Sequence, residues 1–121
     1  MYDLAIIGGG PAGVAAGVYA SRKRLKTIFI TKDFLGQSSV SEGVENWIGT
    51  VKISGTDLST ALEQHLRAYA GDIVTIQAGE GASNIEKIAG GFSITTDKGG
   101  AKNSYTAKTV LITTGSARRK L

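Results

Sequence analysis

The sequence contains no cysteine and only one histidine. Without thiols, these 121 residues hold no disulfide scaffold, no thiolate metal site, no cysteine nucleophile and no redox dithiol. A histidine-based metal centre is also disfavoured, because such centres draw on several imidazoles. The sequence therefore predicts no metal site and no catalytic residue of its own.

Aromatic residues are scarce as well, at 7%, and no apolar run reaches the length of a transmembrane helix. The net charge of +4 favours anionic ligands such as phosphates. Basic residues cluster only at 22–24 and 118–120, and too few aromatic residues accompany them for a surface that stacks bases. Acidic Asp3 stands where a signal peptide has basic residues. We therefore expect a cytoplasmic protein that contacts neither nucleic acid nor membrane.

Strands and helices alternate along the first two thirds of the chain. Tyr2–Ile7 is a short apolar strand, residues 11–21 form an Ala-rich helix, and residues 26–31 form a second strand. Together they predict a βαβ unit with a right-handed crossover. Beyond a long Gly- and Ser-rich stretch, residues 57–69 place three leucines and Tyr69 at helical spacing, with Thr56 or Asp57 as the cap. A third strand is expected at 72–76.

The segment 82–108 has a different pattern. It contains three short strand segments near 84–88, 91–96 and 104–107, separated by the turn signals AGG and DKGG. This pattern predicts a β-meander. The meander leads into a further buried strand at 109–114, TVLITT.

The sequence GGGPAG directly follows the first strand and opens the first helix. Gly8, Gly10 and Gly13 fit the G-x-G-x-x-G pattern in the context that a dinucleotide-binding loop requires. Gly8 permits the tight turn, Gly10 lets a pyrophosphate approach the backbone, and Gly13 allows close packing of helix on strand. The amides of the first helical turn, around Pro11 and Ala12, then face the phosphate with the positive end of the helix dipole behind them. The alternative interpretation is that the glycines only form a turn.

These elements predict an α/β fold: a single Rossmann-like FAD/NAD(P)-binding domain over residues 1–121, with a mostly parallel sheet and a three-stranded β-meander crossover. The glycine loop does not distinguish FAD from NAD, because an acidic side chain near the end of the second strand commonly holds the adenosine ribose in both cases. Here the strand ends at Thr31, followed by Lys32 and Asp33. Asp33 lies two residues beyond the strand end at Thr31, later than the usual acidic residue, which weakens a strict NAD interpretation.

Two further stretches distinguish between the cofactors. LGQSSVSEGVENWIG at 35–49 and TVLITTGSARRK at 109–120, together with IIGGGPAG and the meander, resemble the N-terminal FAD-binding segment of one family. That family comprises the thioredoxin reductases and the related flavoprotein subunit of alkyl hydroperoxide reductase. The resemblance covers essentially the whole chain. Two departures from the family pattern are Leu35, where Gly is usual before Gly-Gln, and Thr113, where Ala is usual before Thr-Gly.

The resemblance implies FAD as the cofactor. It places the glycine loop at the pyrophosphate, residues 31–33 at the adenosine ribose, and the backbone of Ala82 at the adenine. Four loop residues would lie along the ribityl chain and flavin, and residues 113–115 would close the site. The predicted cofactor-binding residues are Gly8, Gly10, Pro11, Ala12, Gly13, Thr31, Lys32, Asp33, Gly36, Gln37, Ser41, Asn46, Ala82, Thr113, Thr114 and Gly115.

The resemblance also implies an activity that needs more than these residues. In this family an inserted NADPH domain carries a Cys-x-x-Cys pair, and electrons pass from NADPH through FAD to a thioredoxin-like protein or another acceptor. We therefore expect residues 1–121 to be the N-terminal part of a longer reductase, inactive alone, with a homodimer as one option. Two alternatives remain open: a related ferredoxin or flavodoxin NADP reductase without redox cysteines, and a free-standing nucleotide-binding module without turnover.

Overall fold

The computed structural model describes residues 1–35 and 41–116. The strands are β1 (Tyr2–Ile7), β2 (Thr27–Thr31), β3 (Val74–Ala78), β4 (Gly81–Ile88), β5 (Gly91–Lys98) and β6 (Ala101–Ile112), and the helices are α1 (Pro11–Arg22) and α2 (Gly55–Ala70). The six strands form one sheet in the order β3-β2-β1-β6-β5-β4. Neighbours from β3 to β6 run parallel, and β6, β5 and β4 run antiparallel. The predicted α/β, Rossmann-like fold is confirmed.

The two helices cover one face of the parallel half of the sheet. Ile6 of β1, Phe29 of β2, Val14 of α1 and Leu66 of α2 are buried together in one core cluster. The small side chains of α1 permit close packing, since a Cβ at Gly17 would lie only 2.6 Å from Cδ1 of Leu66. This packing brings the first turn of α1 against the end of β1.

A second core cluster lies on the opposite face. There, Ala5 and Ile7 of β1 and two isoleucines of β2 pack with Ile94 of β5 and Ala107 of β6, all of them buried. The meander therefore covers the face of the parallel strands that the helices leave open. Both faces of β1 and β2 are buried, which explains their nearly continuous apolar sequences.

One continuous strand stands where the sequence predicted two. The prediction of separate strands at 104–107 and 109–114 was wrong, because β6 runs unbroken from Ala101 to Ile112. Its first part pairs with β5, and from Ala107 onward it pairs with β1. Lys108, at the expected break, is an exposed strand residue whose Nζ lies 3.3 Å from Oδ1 of Asp3. Lys108 is not a typical turn residue, so the strand continues through it.

Helix α2 differs from its prediction at both ends. Its cap is Ser54, whose Oγ accepts the backbone N–H of Asp57 at 3.1 Å, and not Thr56 or Asp57. Tyr69 has the spacing of the buried stripe but is 49% exposed, and its ring packs against His65 with 5.3 Å between centroids. The strand that follows begins at residue 74, two residues later than predicted. Within the described ranges, neither helix combines the length and apolar character needed to cross a membrane.

Candidate nucleotide-binding site

The predicted glycine loop lies at the carboxyl edge of the parallel strands. Gly8 directly follows β1, Thr31 is the last residue of β2, and Thr113 directly follows β6. Because β1 lies between β2 and β6, these three positions are neighbours at one edge of the sheet. Ligands of open α/β sheets bind outside this edge. The structure thus brings together residues from three stretches that are far apart in the sequence.

The three glycines of the pattern differ in what a side chain would meet. Gly8 has a φ of +109°, which favours glycine, and a Cβ there would lie 2.3 Å from the carbonyl oxygen of Thr113. A Cβ at Gly13 would lie 1.9 Å from the carbonyl oxygen of Gly8. A Cβ at Gly10, by contrast, would meet no atom of residues 1–35 and 41–116 within 4 Å. The fold itself requires the first and third glycines, whereas the second faces open space.

The first turn of α1 presents backbone donors to that space. Gly10 is the N-cap residue, and the first intrahelical bond runs from the N–H of Val14 to the carbonyl oxygen of Gly10 at 3.0 Å. Pro11 has no N–H, so the amides of Ala12 and Gly13 are the first-turn donors that precede this bond. Together with the positive end of the helix dipole, they form an arrangement that binds anions.

Thr113 holds the glycine loop from the β6 side. Its backbone N–H donates to the carbonyl oxygen of Ile7 at 2.8 Å, and its Oγ1 lies 2.9 Å from the carbonyl oxygens of both Ile7 and Gly8. The alanine usual at this position in the resembled family could not donate this side-chain bond. The departure at 113 therefore adds a link between β6 and the loop. Thr114 and Gly115 follow it and are exposed.

The end of β2 forms a wall beside Gly9. Thr31 is buried, and its Oγ1 donates to the backbone carbonyl oxygen of Asp33. A Cβ at Gly9 would lie 2.7 Å from this Oγ1, so the Thr31 side chain packs directly on the loop. Asp33 is exposed, and its Oδ1 accepts the N–H of Leu35 at 2.9 Å. Thr31 and Asp33, two of the predicted ribose contacts, thus lie at the glycine loop. Oγ1 of Thr31 and Oδ1 of Asp33 are already hydrogen-bonded to nearby backbone groups.

Lys32, the third predicted residue at this position, extends toward the meander. Its side chain runs over Gly81, where a Cβ would lie 2.6 Å from the Cε of Lys32. Gly81 pairs with Asp97 of β5. The N–H of Gly100 and nearby ammonium groups, Lys32 among them, hold the pKa of Asp97 below its ordinary value. Ala82, predicted at the adenine, is the next residue and is partly buried.

Two predicted flavin contacts lie in the long loop between β2 and α2. Ser41 and Asn46 are both exposed. The carbonyl oxygen of Ser41 accepts the N–H of Gly55 at 2.9 Å, and an antiparallel bridge closes the segment 44–53. These contacts tie the loop to the start of α2 and do not by themselves bring Ser41 or Asn46 to the glycine loop. Two more predicted contacts lie outside the described residues: Gly36 and Gln37.

A buried carboxyl group beside the site was not predicted. Glu80 is 1% exposed, and its Oε2 accepts a hydrogen bond from Oγ1 of Thr96. Its Oε1 has no hydrogen-bond partner in the part of the chain that the structure describes. Burial, together with the nearby Glu80, raises the pKa of Tyr105 to about 12. In the sequence, Glu80 is a lone acid between two glycines, a pattern typical of an exposed turn.

Residues 2–121 match the family model described as pyridine nucleotide-disulphide oxidoreductase. Among curated relatives, the chain is 39% identical over 120 residues to a subunit of the alkyl hydroperoxide reductase of Pseudomonas putida. That match covers 99% of this chain and 22% of the relative. The chain thus spans about a fifth of the length of this relative.

Solved structures of thioredoxin reductases have the same fold. The enzyme from T. acidophilum is 33% identical with a TM-score of 0.85, over 99% of this chain and 37% of that one. The enzyme from Lactococcus lactis is 30% identical with a TM-score of 0.87, over 100% of this chain and 38% of that one. The fold and the order of the motifs are therefore those of the matched part of these enzymes.

Proposed function

Since the chain belongs to the pyridine nucleotide-disulphide oxidoreductase family, we propose that it binds FAD at the glycine loop and serves as the flavin-binding part of a reductase. It corresponds to the FAD-binding region of thioredoxin reductases and alkyl hydroperoxide reductase flavoproteins. The exposed loop, helix and strand ends described above lie within this region. The proposal assigns a role to each of these segments.

One observation supports this proposal most strongly: the open space at Gly10. A glycine that served only the fold would be explained by a crowded neighbour or a positive φ, as Gly8 and Gly13 are. Gly10 has a φ of −77°, and within the described part of the chain no atom lies within 4 Å of a Cβ placed there. Its missing side chain is explained if a pyrophosphate occupies that space.

We propose the following contacts along the length of FAD. The amides of Ala12 and Gly13 would bind the pyrophosphate, and the wall of Gly9, Thr31 and Asp33 would face the adenosine ribose. The backbone of Ala82 would contact the adenine. Along the ribityl chain and flavin we place Gly36, Gln37, Ser41 and Asn46, with Thr114 and Gly115 closing the site.

When bound, FAD supplies two-electron transfer between a nicotinamide and an acceptor. The role of this chain is to hold the cofactor and set its electrostatic surroundings. We propose that the whole protein uses NADPH as donor and a disulfide as acceptor, in a thioredoxin-like protein or a peroxidase partner. The chain has no cysteine, so the dithiol of this reaction is supplied by residues outside these 121. We place the protein in the cytoplasm, because these residues carry none of the disulfides typical of secreted scaffolds.

Competition binding tests the proposal. A fluorescent ADP analogue bound to the chain is displaced with ADP, FAD, NAD and NADP in parallel. We expect ADP and FAD to compete and FAD to bind more tightly than either nicotinamide nucleotide, because Thr31 offers no carboxylate to the ribose diol and residues 35–49 resemble a flavin-contact loop. A preference for NAD or NADP would favour a nucleotide-sensing module instead. Failure of every nucleotide to bind would contradict the proposal.

A further inference from the structure

Glu80 makes contacts in two directions. Its backbone N–H donates to the carbonyl oxygen of Thr31 at 3.2 Å, next to the N–H of Gly79, which donates to the carbonyl oxygen of Lys32 at 3.1 Å. Its side chain points the other way, into the interior, and accepts from Thr96 of β5. A single residue thus joins the end of β2 to the meander.

Both ends of this link belong to the walls of the candidate site. Thr31 packs on Gly9 of the glycine loop. Thr96 is the cross-strand partner of Ala82. Immediately after Ala82 the register between β4 and β5 shifts, and Ser83 forms a bulge. Bulges of this kind redirect a strand and are frequent beside functional sites. Glu80 therefore connects the ribose wall to the strand segment that faces the adenine.

We propose that Glu80 is a positioning residue that sets the distance between the ribose wall at Thr31 and the adenine wall at Ala82 through its buried hydrogen bond to Thr96. This inference depends on the proposed function, because it assigns the two walls to an adenosine group. Glu80 acts through the two walls and touches no ligand itself.

The buried carboxyl group indicates that Glu80 orients its neighbours and does not merely fill space. A carboxyl group buried to 1% exposure is costly to desolvate, and its Oε1 gains no compensating bond from the described residues. An apolar side chain of similar volume would fill the position at lower cost. What the carboxyl group adds is an oriented side-chain bond to Thr96 between segments that backbone hydrogen bonds and apolar packing also join.

The test compares two ligands that share the glycine loop. ADP contacts the loop and both adenosine walls, whereas inorganic pyrophosphate contacts only the loop. Binding of each is followed by backbone amide shifts in the NMR spectrum for wild type, Glu80→Leu and Glu80→Gln. We expect Glu80→Leu to weaken ADP binding about tenfold, because the two adenosine walls lose their fixed spacing, and to leave pyrophosphate binding unchanged. Glu80→Gln keeps an acceptor for Thr96 and should bind ADP within about twofold of wild type.

Two further variants complete the design. Glu86→Gln removes an exposed carboxylate from β4 and is the matched control for charge, with no expected effect on either ligand. Thr96→Val breaks the same bond from the other side and decides the question if circular dichroism shows that Glu80→Leu does not fold. Equal loss of ADP and pyrophosphate binding, or unchanged ADP binding in folded Glu80→Leu or Thr96→Val, would overturn the inference. Absence of ADP binding in wild type would instead overturn the proposed function.

Discussion

Valine at Gly10 and valine at Gly13 should have opposite effects, although the two positions are three residues apart in one loop. Gly10→Val should strongly weaken nucleotide binding and leave the fold intact. Gly13→Val should damage the fold. The reason is the difference in surroundings: a Cβ at Gly13 would lie 1.9 Å from a backbone oxygen, whereas a Cβ at Gly10 would have no atom of the described residues within 4 Å.

The magnitudes follow from these distances. At Gly10, φ is −77° and ψ is −171°, extended values that valine adopts readily, so the main cost is a poorer helix N-cap, about 1 kcal/mol. At Gly13 neither the helix nor Gly8 can move away without breaking the loop, and we expect a loss above roughly 3 kcal/mol. For a chain of this size, 1 kcal/mol corresponds to roughly 3–5 °C in the melting temperature.

The effect on binding should be larger than the effect on the fold at Gly10. The valine side chain would occupy the space where a pyrophosphate meets the amides of Ala12 and Gly13. Losing two hydrogen bonds to a charged phosphate costs roughly 3 kcal/mol, which is about a hundredfold in ADP affinity. Only the variant at Gly10 should show this loss with a melting temperature close to that of wild type.

Calorimetric titration with ADP, together with thermal unfolding followed by circular dichroism, measures both effects on the same samples. An ADP affinity of Gly10→Val equal to that of wild type would refute the reasoning, because the open space would then have no ligand. Unfolding of Gly10→Val to the same extent as Gly13→Val would refute it as well, since the loop would then be a purely structural turn.

Three other outcomes are expected for variants, and one for the unaltered chain. Thr113→Val keeps the shape of the side chain but removes its bond to the loop carbonyls, and chemical denaturation should show a loss of about 1 kcal/mol. Because the pKa of Tyr105 is raised to about 12, folding stability should fall as the pH rises from about 10 to 12. Tyr105→Phe should remove up to roughly 2 kcal/mol of that fall. Equal falls in both proteins would contradict this prediction. Ser54→Ala deletes the cap of α2 and should cost about 1 kcal/mol, while an unchanged unfolding midpoint would show that the capping bond contributes nothing. Finally, with NADPH as electron donor, the chain with added FAD should reduce a disulfide dye no faster than free FAD does, because it has no dithiol; turnover above that background would contradict the assignment.

The sequence alone was sufficient for the elements whose signals are local. Tyr2–Ile7 was predicted to the residue, and α1 and β2 to within one residue, because apolar periodicity, the Ala-rich stretch and Pro11 act over a single turn or strand. The glycine loop was found the same way, since its pattern and its position between strand and helix are both contiguous. The order of the motifs was enough to predict the family and the Rossmann-like fold.

Tertiary structure decided whatever depends on partners distant in sequence. The glycine pattern predicted ligand approach at Gly10 and close packing at Gly13, but only the folded chain supplies the distances: a Cβ at Gly13 would lie 1.9 Å from the Gly8 carbonyl oxygen, and one at Gly10 would meet no atom of the described residues within 4 Å. The continuity of β6 depends on pairing with β5 and then with β1, some hundred positions away. Glu80 reads as a turn residue until the meander folds over it and buries its carboxyl group beside Thr96. Burial and distance are properties of the assembled chain, so no local sequence pattern could have predicted these three results.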